Sequence, residues 1–248
     1  MRRVGILGGM GPEATVLLMA RVLAAVPARD DADHIPLIVD QNPQVPSRIR
    51  HLIDGTGADP GPVLAAMARR LVGAGAEALA MPCNTAHHYA GAIRAAVAVP
   101  LIDMVALSVT EAARQAARLA SWRAAHADGV SQRVTGRIGI LCSPAVRQVG
   151  LFDAAFAQAG LVAVYAADSE AMLAAIRSLK SRGANDDARA MLRAASARML
   201  AEGAGVQMIA CTEFSLIADA LAPGVAGLDT LDQLVKGIVA FATEPVKA

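Results

Sequence analysis

Short apolar runs alternate along the chain with longer segments in which apolar residues recur every three or four positions. The runs at 4–7, 36–39, 78–81, 100–102, 137–141, 162–165 and 206–210 have strand length and point to parallel sheets. The segments 63–73, 108–120 and 186–202 carry a helical apolar stripe with arginines on the other side. Strands alternating with such helices predict parallel sheets covered by helices, an α/β fold.

The pattern repeats. Arg3-Val4-Gly5-Ile6-Leu7-Gly8 is echoed by Arg137-Ile138-Gly139-Ile140-Leu141-Cys142, and each opens a half of the chain. Later in each half, at nearly the same spacing, an apolar strand runs into a cysteine followed by small polar residues: Ala80-Met81-Pro82-Cys83-Asn84-Thr85 and Ile209-Ala210-Cys211-Thr212-Glu213. A repeat of this length is a domain and not a solenoid unit. The expectation is a duplicated α/β unit, with a first domain over 1–107, a second over 108–225, and the tail 226–248 returning to the first domain as a helix. The stretch 112–136, with Trp122 and several arginines, reads as a solvated helix plus loop.

Composition narrows the function classes. A chain of 248 residues needs no metal or disulfide staple to build its core. With 23 Lys and Arg against 22 Asp and Glu, the formal charge of +1 supplies no field for a nucleic acid or an anionic membrane. The 55% apolar content is rich in alanine and only 3% of residues are aromatic, which fits many closely packed helices. No uncharged apolar stretch is long enough to span a bilayer. Arg2 and Arg3 before an apolar run imitate a signal peptide, but Gly8, Gly9, Gly11, Pro12 and Glu13 interrupt it. Three cysteines without CxxC spacing point away from a disulfide framework or zinc site and toward a reducing cytoplasm.

Cys83 and Cys211 are the candidate reactive groups. Open α/β sheets bind ligands at the carboxyl ends of their strands, and a thiol there, at the N-terminus of a following helix, is stabilised as the thiolate. If the halves face each other across a cleft, their symmetry places one sulfur on each side of a bound molecule. Two acid/base groups on opposite faces of one carbon remove a proton from one side and return it on the other, which is racemisation. A single thiol with a histidine base would instead serve acyl transfer, with His87 and His88 nearest in sequence.

Four segments resemble the aspartate/glutamate racemases that work without pyridoxal phosphate: Gly5-Ile6-Leu7-Gly8-Gly9-Met10-Gly11-Pro12-Glu13-Ala14-Thr15, Asn42-Pro43-Gln44-Val45-Pro46-Ser47-Arg48, Pro82-Cys83-Asn84-Thr85-Ala86-His87 and Ala210-Cys211-Thr212-Glu213. They span nearly the whole chain in the family's order. The resemblance implies two pseudosymmetric doubly wound parallel-sheet domains, an active site in the interdomain cleft and a homodimer. Cys211 would deprotonate the L enantiomer and Cys83 the D enantiomer. It also implies substrate contacts from Arg48 and, on a looser match of Ile176-Arg177-Ser178-Leu179-Lys180, from Lys180. A dicarboxylic amino acid needs two cationic clamps, and Arg grips a carboxylate bidentately. Asn84, Thr85 and Thr212 stand where they would help stabilise a carbanion. The chain departs from the family after residue 141, where many relatives carry Ala-Thr-x-Gly-Thr and this one has Cys142-Ser143-Pro144-Ala145-Val146.

The remaining motifs carry less. Gly9-Met10-Gly11-Pro12-Glu13-Ala14 has the form of a dinucleotide fingerprint, but Asp40, the acid ending the next strand, lies well past the roughly 20 residues that a ribose contact needs. The turn reads better as a backbone N–H pocket for a substrate carboxylate with Met10 at its tip; a nicotinamide dehydrogenase is the alternative. Cys83, His87 and His88 lack a second ligand group at metal spacing. His87 belongs to the cysteine motif, His88 reads as a surface residue, and Cys142 as a packed thiol. The sequence thus predicts a cofactor-free, metal-free cytoplasmic racemase of aspartate or glutamate with a small-molecule substrate, no nucleic acid and no membrane. A cysteine-dependent isomerase or decarboxylase of a related dicarboxylic acid, and a non-catalytic amino-acid-binding protein, remain alternatives. Solvent deuterium at Cα separates the three.

Overall fold

A computed structural model describes residues 1–126 and 136–244. The chain divides into two units, Met1–Met104 with the segment from Leu231, and Val105–Thr230. In chain order the elements are β1 (Val4–Gly8), α1 (Pro12–Ala25), β2 (Leu37–Gln41), α2 (Arg48–Leu52), α3 (Gly61–Gly73), β3 (Ala78–Ala80), α4 (Ala90–Ala96), α5 (Met104–His126), β4 (Arg137–Cys142), α6 (Pro144–Gln148), α7 (Asp153–Gln158), β5 (Val162–Tyr165), α8 (Ser169–Arg182), α9 (Asp186–Ala201), β6 (Val206–Ala210), β7 (Ala226–Asp229) and α10 (Thr230–Thr243). Short 3₁₀ turns add Asp31–Asp33, Thr85–Tyr89 and Phe214–Ala220.

The first unit holds a parallel sheet in the order β2-β1-β3, the second a parallel sheet in the order β5-β4-β6-β7. The opening strand of each half is therefore central, the second strand lies on one side and the third, which leads to the cysteine, on the other. Even the fourth strand has a vestige in the first unit: Leu79 makes a parallel bridge to Leu101 beside β3, as β7 pairs with β6. Each half is thus a doubly wound parallel-sheet α/β domain built on one plan.

Burial follows from that position. All five residues of β1 and the last five of β4 are buried, because helices cover both faces of a central parallel strand. Consecutive residues of a strand point to opposite faces. Accordingly Ile6 packs with Leu18, Leu231, Leu234 and Ile238, while Leu7 packs on the other side with Met10, Leu64, Met81 and Cys83. In the second unit Ile140 packs with Phe152, Phe156 and Cys142, and Leu141 with Ile176, Leu179, Phe214 and Cys211. Each fully buried Leu, Ile or Phe side chain of these layers is worth about 1.5–3 kcal/mol of transfer free energy.

Two expectations need correction. The run at 100–102 does not form a strand of its own: Leu79 N donates to Pro100 O (2.9 Å) and Ile102 N to Leu79 O (2.8 Å), and the pairing stops there, Pro100 having no N–H to extend it. The segment from Ala226 does not enter a helix at once but first forms β7, and the helix begins at Thr230. Of the stretch 112–136, expected as a helix plus loop, the residues up to 126 form the latter part of α5; residues 127–135 lie outside the described residues.

Candidate active site

In the first unit, β1 ends in a tight turn. Gly9 has φ +91°, and a Cβ there would sit 2.4 Å from the carbonyl carbon of Asn42, so the position admits glycine alone. Thr15 Oγ1 accepts from Gly9 N (2.9 Å) and donates to Gly11 O (3.2 Å), tying the turn to the first turn of α1, which Pro12 opens. Met10, at the tip, is buried in the same apolar cluster as Cys83, Val45 and Tyr89.

Arg48 is positioned by its neighbours. Ser47 Oγ caps α2 by accepting from Arg50 N (3.3 Å), which fixes the start of the helix that carries Arg48. Its guanidinium Nη1 donates to Pro46 O (3.1 Å) and more weakly to Val45 O (3.4 Å), while the buried Nε has no hydrogen-bond partner among the described residues. The Tyr89 hydroxyl is likewise buried and unpartnered. Burial first, and then Asp59, pushes the Tyr89 phenol up to about 12, opposed by Arg48. Two buried donors in search of an acceptor are what an anionic ligand would satisfy. Sequence reasoning did not single out Tyr89; its place on the turn that follows Cys83 was the available signal.

Cys83 follows β3 and is 6% exposed. Asn84 and Thr85 are buried beside it. The structure departs from the expected helix N-terminus: Asn84 has helical dihedrals (φ −58°, ψ −52°) and no capping bond, and the chain winds into the five-residue 3₁₀ turn Thr85–Tyr89. The dipole of so short a turn offers little to a thiolate. His87 does not reach the sulfur through its described bond. Its Nδ1 lies 2.8 Å from Cys83 O, and since a carbonyl only accepts, Nδ1 carries the proton. Burial drives the imidazole pKa below its usual value near 6.5, so His87 is neutral and holds the cysteine backbone in place.

In the second unit, Cys211 follows β6 directly and is equally buried, with Thr212 beside it. Here too a 3₁₀ turn, Phe214–Ala220, replaces the expected α-helix. Ser215 Oγ donates to Asp229 Oδ1 (2.8 Å), bracing the turn against the end of β7, and Thr230 Oγ1 donates to Ile209 O (3.0 Å), tying the start of α10 to β6. The Cys211 thiol donates to Glu213 Oε2 (3.1 Å), and the other oxygen of that carboxylate, Oε1, lies 3.2 Å from Lys180 Nζ on α8. Lys180, predicted as a substrate clamp, therefore stands on a carboxylate that itself engages the sulfur. Burial above all, and then the Glu213 charge and hydrogen bond, push the Cys211 thiol well above its ordinary range, with Lys180 opposing. Glu213 is a candidate site residue that the sequence motif includes without assigning it a role. An acid two positions after a candidate thiol was the signal.

Cys142 is different. It lies on the opposite face of its sheet from Cys211, among Phe152, Phe156 and Val146, and burial pushes its thiol up to about 12. It corresponds to Gly8 in the first half, not to either candidate thiol. A cavity of about 160 Å³ opens between α8 and α9, walled by Met172, Met191, Ala195 and Met199. None of the predicted site residues lines it. Among the described residues no group of three metal-ligating side chains converges, and no helix is long and apolar enough to cross a membrane.

Both units therefore carry a buried thiol just beyond the third strand of the same topology, each packed with the equivalent leucine, Leu7 or Leu141. Comparison with known proteins gives this arrangement its context. The sequence profile of the family described as Asp/Glu/Hydantoin racemase matches residues 7–238. The chain belongs to that family. Membership of this racemase family makes it an isomerase, and solved structures of the same fold bear racemase names. It is similar to an aspartate racemase from Picrophilus torridus, with TM-score 0.76 and 20% identity over 100% of this chain and 96% of the other. A putative Asp/Glu racemase from Yersinia pestis gives 0.73 and 20%, over 98% and 100% of the two chains. A glutamate racemase from Bacillus anthracis gives 0.60 and 15%, over 97% and 80%.

Proposed function

We propose that this isomerase is an amino-acid racemase of the aspartate/glutamate type, which moves the α-proton between Cys83 and Cys211 without cofactor or metal. The observation that carries the reading is the equivalence of the two thiols, set at the same point and on the same face of two sheets with one topology. Family membership supports it independently. In this reading one cysteine is a thiolate that takes the proton from one face of Cα, and the other is a thiol that supplies a proton to the opposite face. Cys211 serves the L enantiomer and Cys83 the D enantiomer.

A Cα proton is far less acidic than a thiol, and without an electron sink the site must stabilise the developing carbanion by placed charge and N–H groups. Arg48, with its buried unpaired Nε, receives one carboxylate, and the N–H groups of the turn around Met10 assist. Lys180 receives the second carboxylate when it leaves Glu213. Asn84, Thr85 and Thr212 complete the polar lining. Aspartate is the preferred candidate substrate, glutamate the next, and the enzyme works as a cytoplasmic homodimer on the free amino acid.

The test is direct. Purified protein is incubated with L-aspartate, L-glutamate and L-alanine in deuterium oxide and the products are resolved by chiral chromatography and mass spectrometry. The expected result is the D enantiomer carrying one deuterium at Cα. Carbon dioxide release, or an unchanged L enantiomer without label for every amino acid tried, would overturn the reading.

A further inference from the structure

We infer that Glu213 is a positioning residue that keeps Cys211 the protonated member of the thiol pair, and that Lys180 sets the strength of this hold. The inference rests on the racemase reading for its purpose, but its geometry lies within the second unit.

A two-thiol proton transfer works only while the pair holds one proton. With two protons there is no base, and with none there is no acid. Two thiols in identical surroundings keep exactly one proton over a narrow range of pH, and pushing their affinities apart widens that range. The two units supply such a difference in their sequence. Two residues after Cys211 stands the carboxylate of Glu213, its Oε2 accepting the Sγ–H at 3.1 Å, whereas two residues after Cys83 stands Thr85. A carboxylate at this distance favours the thiol twice over, by accepting its hydrogen bond and by repelling the thiolate. The Lys180 ammonium, 3.2 Å from Oε1, works in the opposite sense by offsetting part of that negative charge.

Among the described residues of the second unit, hydrophobic side chains from α8, α9 and the turn cluster with Cys211. α8 supplies Ile176 and Leu179 besides Lys180, α9 supplies Leu192 and Met199, and the turn supplies Phe214 and Ile217. Asp229, at the end of β7, is engaged by Ser215 Oγ. The resting form is accordingly a protonated Cys211, the form that delivers a proton to one face of Cα while Cys83 takes one from the other. Since the interconverted enantiomers are equally stable in solution, kcat/KM is the same in both directions at every pH, and the alkaline limb of its profile reports loss of the Cys211 proton for both.

The experiment measures two quantities on the full-length protein: the alkaline limb of kcat/KM for racemisation, and the pH midpoint for alkylation of Cys211 by iodoacetamide, read peptide by peptide by mass spectrometry. In Glu213→Gln both should move down by about one pH unit or more, the size of effect a close charge has on a neighbouring group. Glu213→Asp, which keeps the charge, should leave the alkylation midpoint near that of the wild type. Lys180→Met should move the alkylation midpoint up. A Glu213→Gln variant that is slower at every pH with neither midpoint displaced would overturn the inference, leaving Glu213 a structural role only. If Glu213→Gln does not fold, an unmoved midpoint in Lys180→Met would overturn it instead. Displaced midpoints in a protein that racemises no amino acid would uphold the effect of Glu213 on Cys211 and overturn the racemase reading alone.

Discussion

Glu213 Oε2 lies 3.1 Å from the sulfur of Cys211, while the His87 imidazole, four residues after Cys83, bonds through Nδ1 to the carbonyl oxygen of that cysteine. The two halves thus share a backbone plan but treat their sulfurs differently, one through a charged side chain and the other through a neutral backbone brace.

If each thiol carries the proton for one face, Cys83→Ala and Cys211→Ala should each reduce racemisation to background with the fold preserved by circular dichroism. Cys142→Ala should keep near-wild-type activity, because Cys142 packs against Phe152 and Phe156 on the other face of the sheet. With its pKa at about 12, Cys142 should also resist alkylation at pH 8 in the native protein and react once the protein is unfolded.

Arg48 should be the more demanding cationic position. Arg48→Ala removes the group with a buried, unpaired Nε and leaves a substrate carboxylate unmatched, at a cost of roughly 2–5 kcal/mol, or about 30-fold or more in kcat/KM. Arg48→Lys should not rescue it, since one ammonium cannot both hold Pro46 O and present a planar fork to a carboxylate. Steady-state kinetics with aspartate, glutamate and alanine check both statements, and near-wild-type rates of Arg48→Ala on all three would remove Arg48 from the site.

His87 gives the stability a defined pH dependence. Its folded-state pKa is depressed by burial, so the unfolded chain binds a proton that the native protein refuses. The associated stability is present above the unfolded value near 6.5 and is lost as pH falls below it. Thermal melts from pH 7.5 to 5.5 should show Tm falling, and His87→Gln, which cannot titrate, should flatten that slope even if it lowers Tm at pH 7.5.

The turn after β1 should tolerate no side chain at Gly9. Gly9→Ala combines a left-handed backbone, costing about 1–3 kcal/mol, with overlap against the Asn42 backbone, which cannot rotate aside. Denaturant unfolding should show a loss of at least that size, accompanied by weaker substrate binding because the turn presents Met10.

Much of this was legible in the chain because a central parallel strand is buried on both faces and is written as a largely apolar run; β1 is written so, as are β4 after Arg137 and β6 apart from Gln207, whose buried amide donates to Ser196 O and Ala204 O. The duplicated plan was legible because the echo falls on two central strands and two strand ends. Other features had no such mark. β7 reads Ala-Gly-Leu-Asp, too weak a strand former to announce itself, and is held by pairing with β6. Asn84 and Thr85 look like helix caps, yet the chain after each thiol tightens into a 3₁₀ turn whose entry residue, Asn84 or Glu213, is already helical. Glu213 was hidden for a different reason. Its meaning depends on Lys180, which lies on α8 far back in the sequence and meets it only once the second unit has folded.

The division of the chain also dictates an order of biogenesis. The first unit is made from both ends of the described sequence, with the second unit emerging from the ribosome in between. Leu231, Leu234, Val235 and Ile238 of α10 fill the layer against Val4, Ile6 and Leu18, so until those late residues are synthesised the sheet face carrying Ile6 has only part of its cover, from residues such as Leu18 and Val22 of α1. The Val105–Thr230 segment, by contrast, is contiguous and can complete its own core first. The apolar layer around Ile6 is therefore complete only once α10, the last helix of the described residues, has been made.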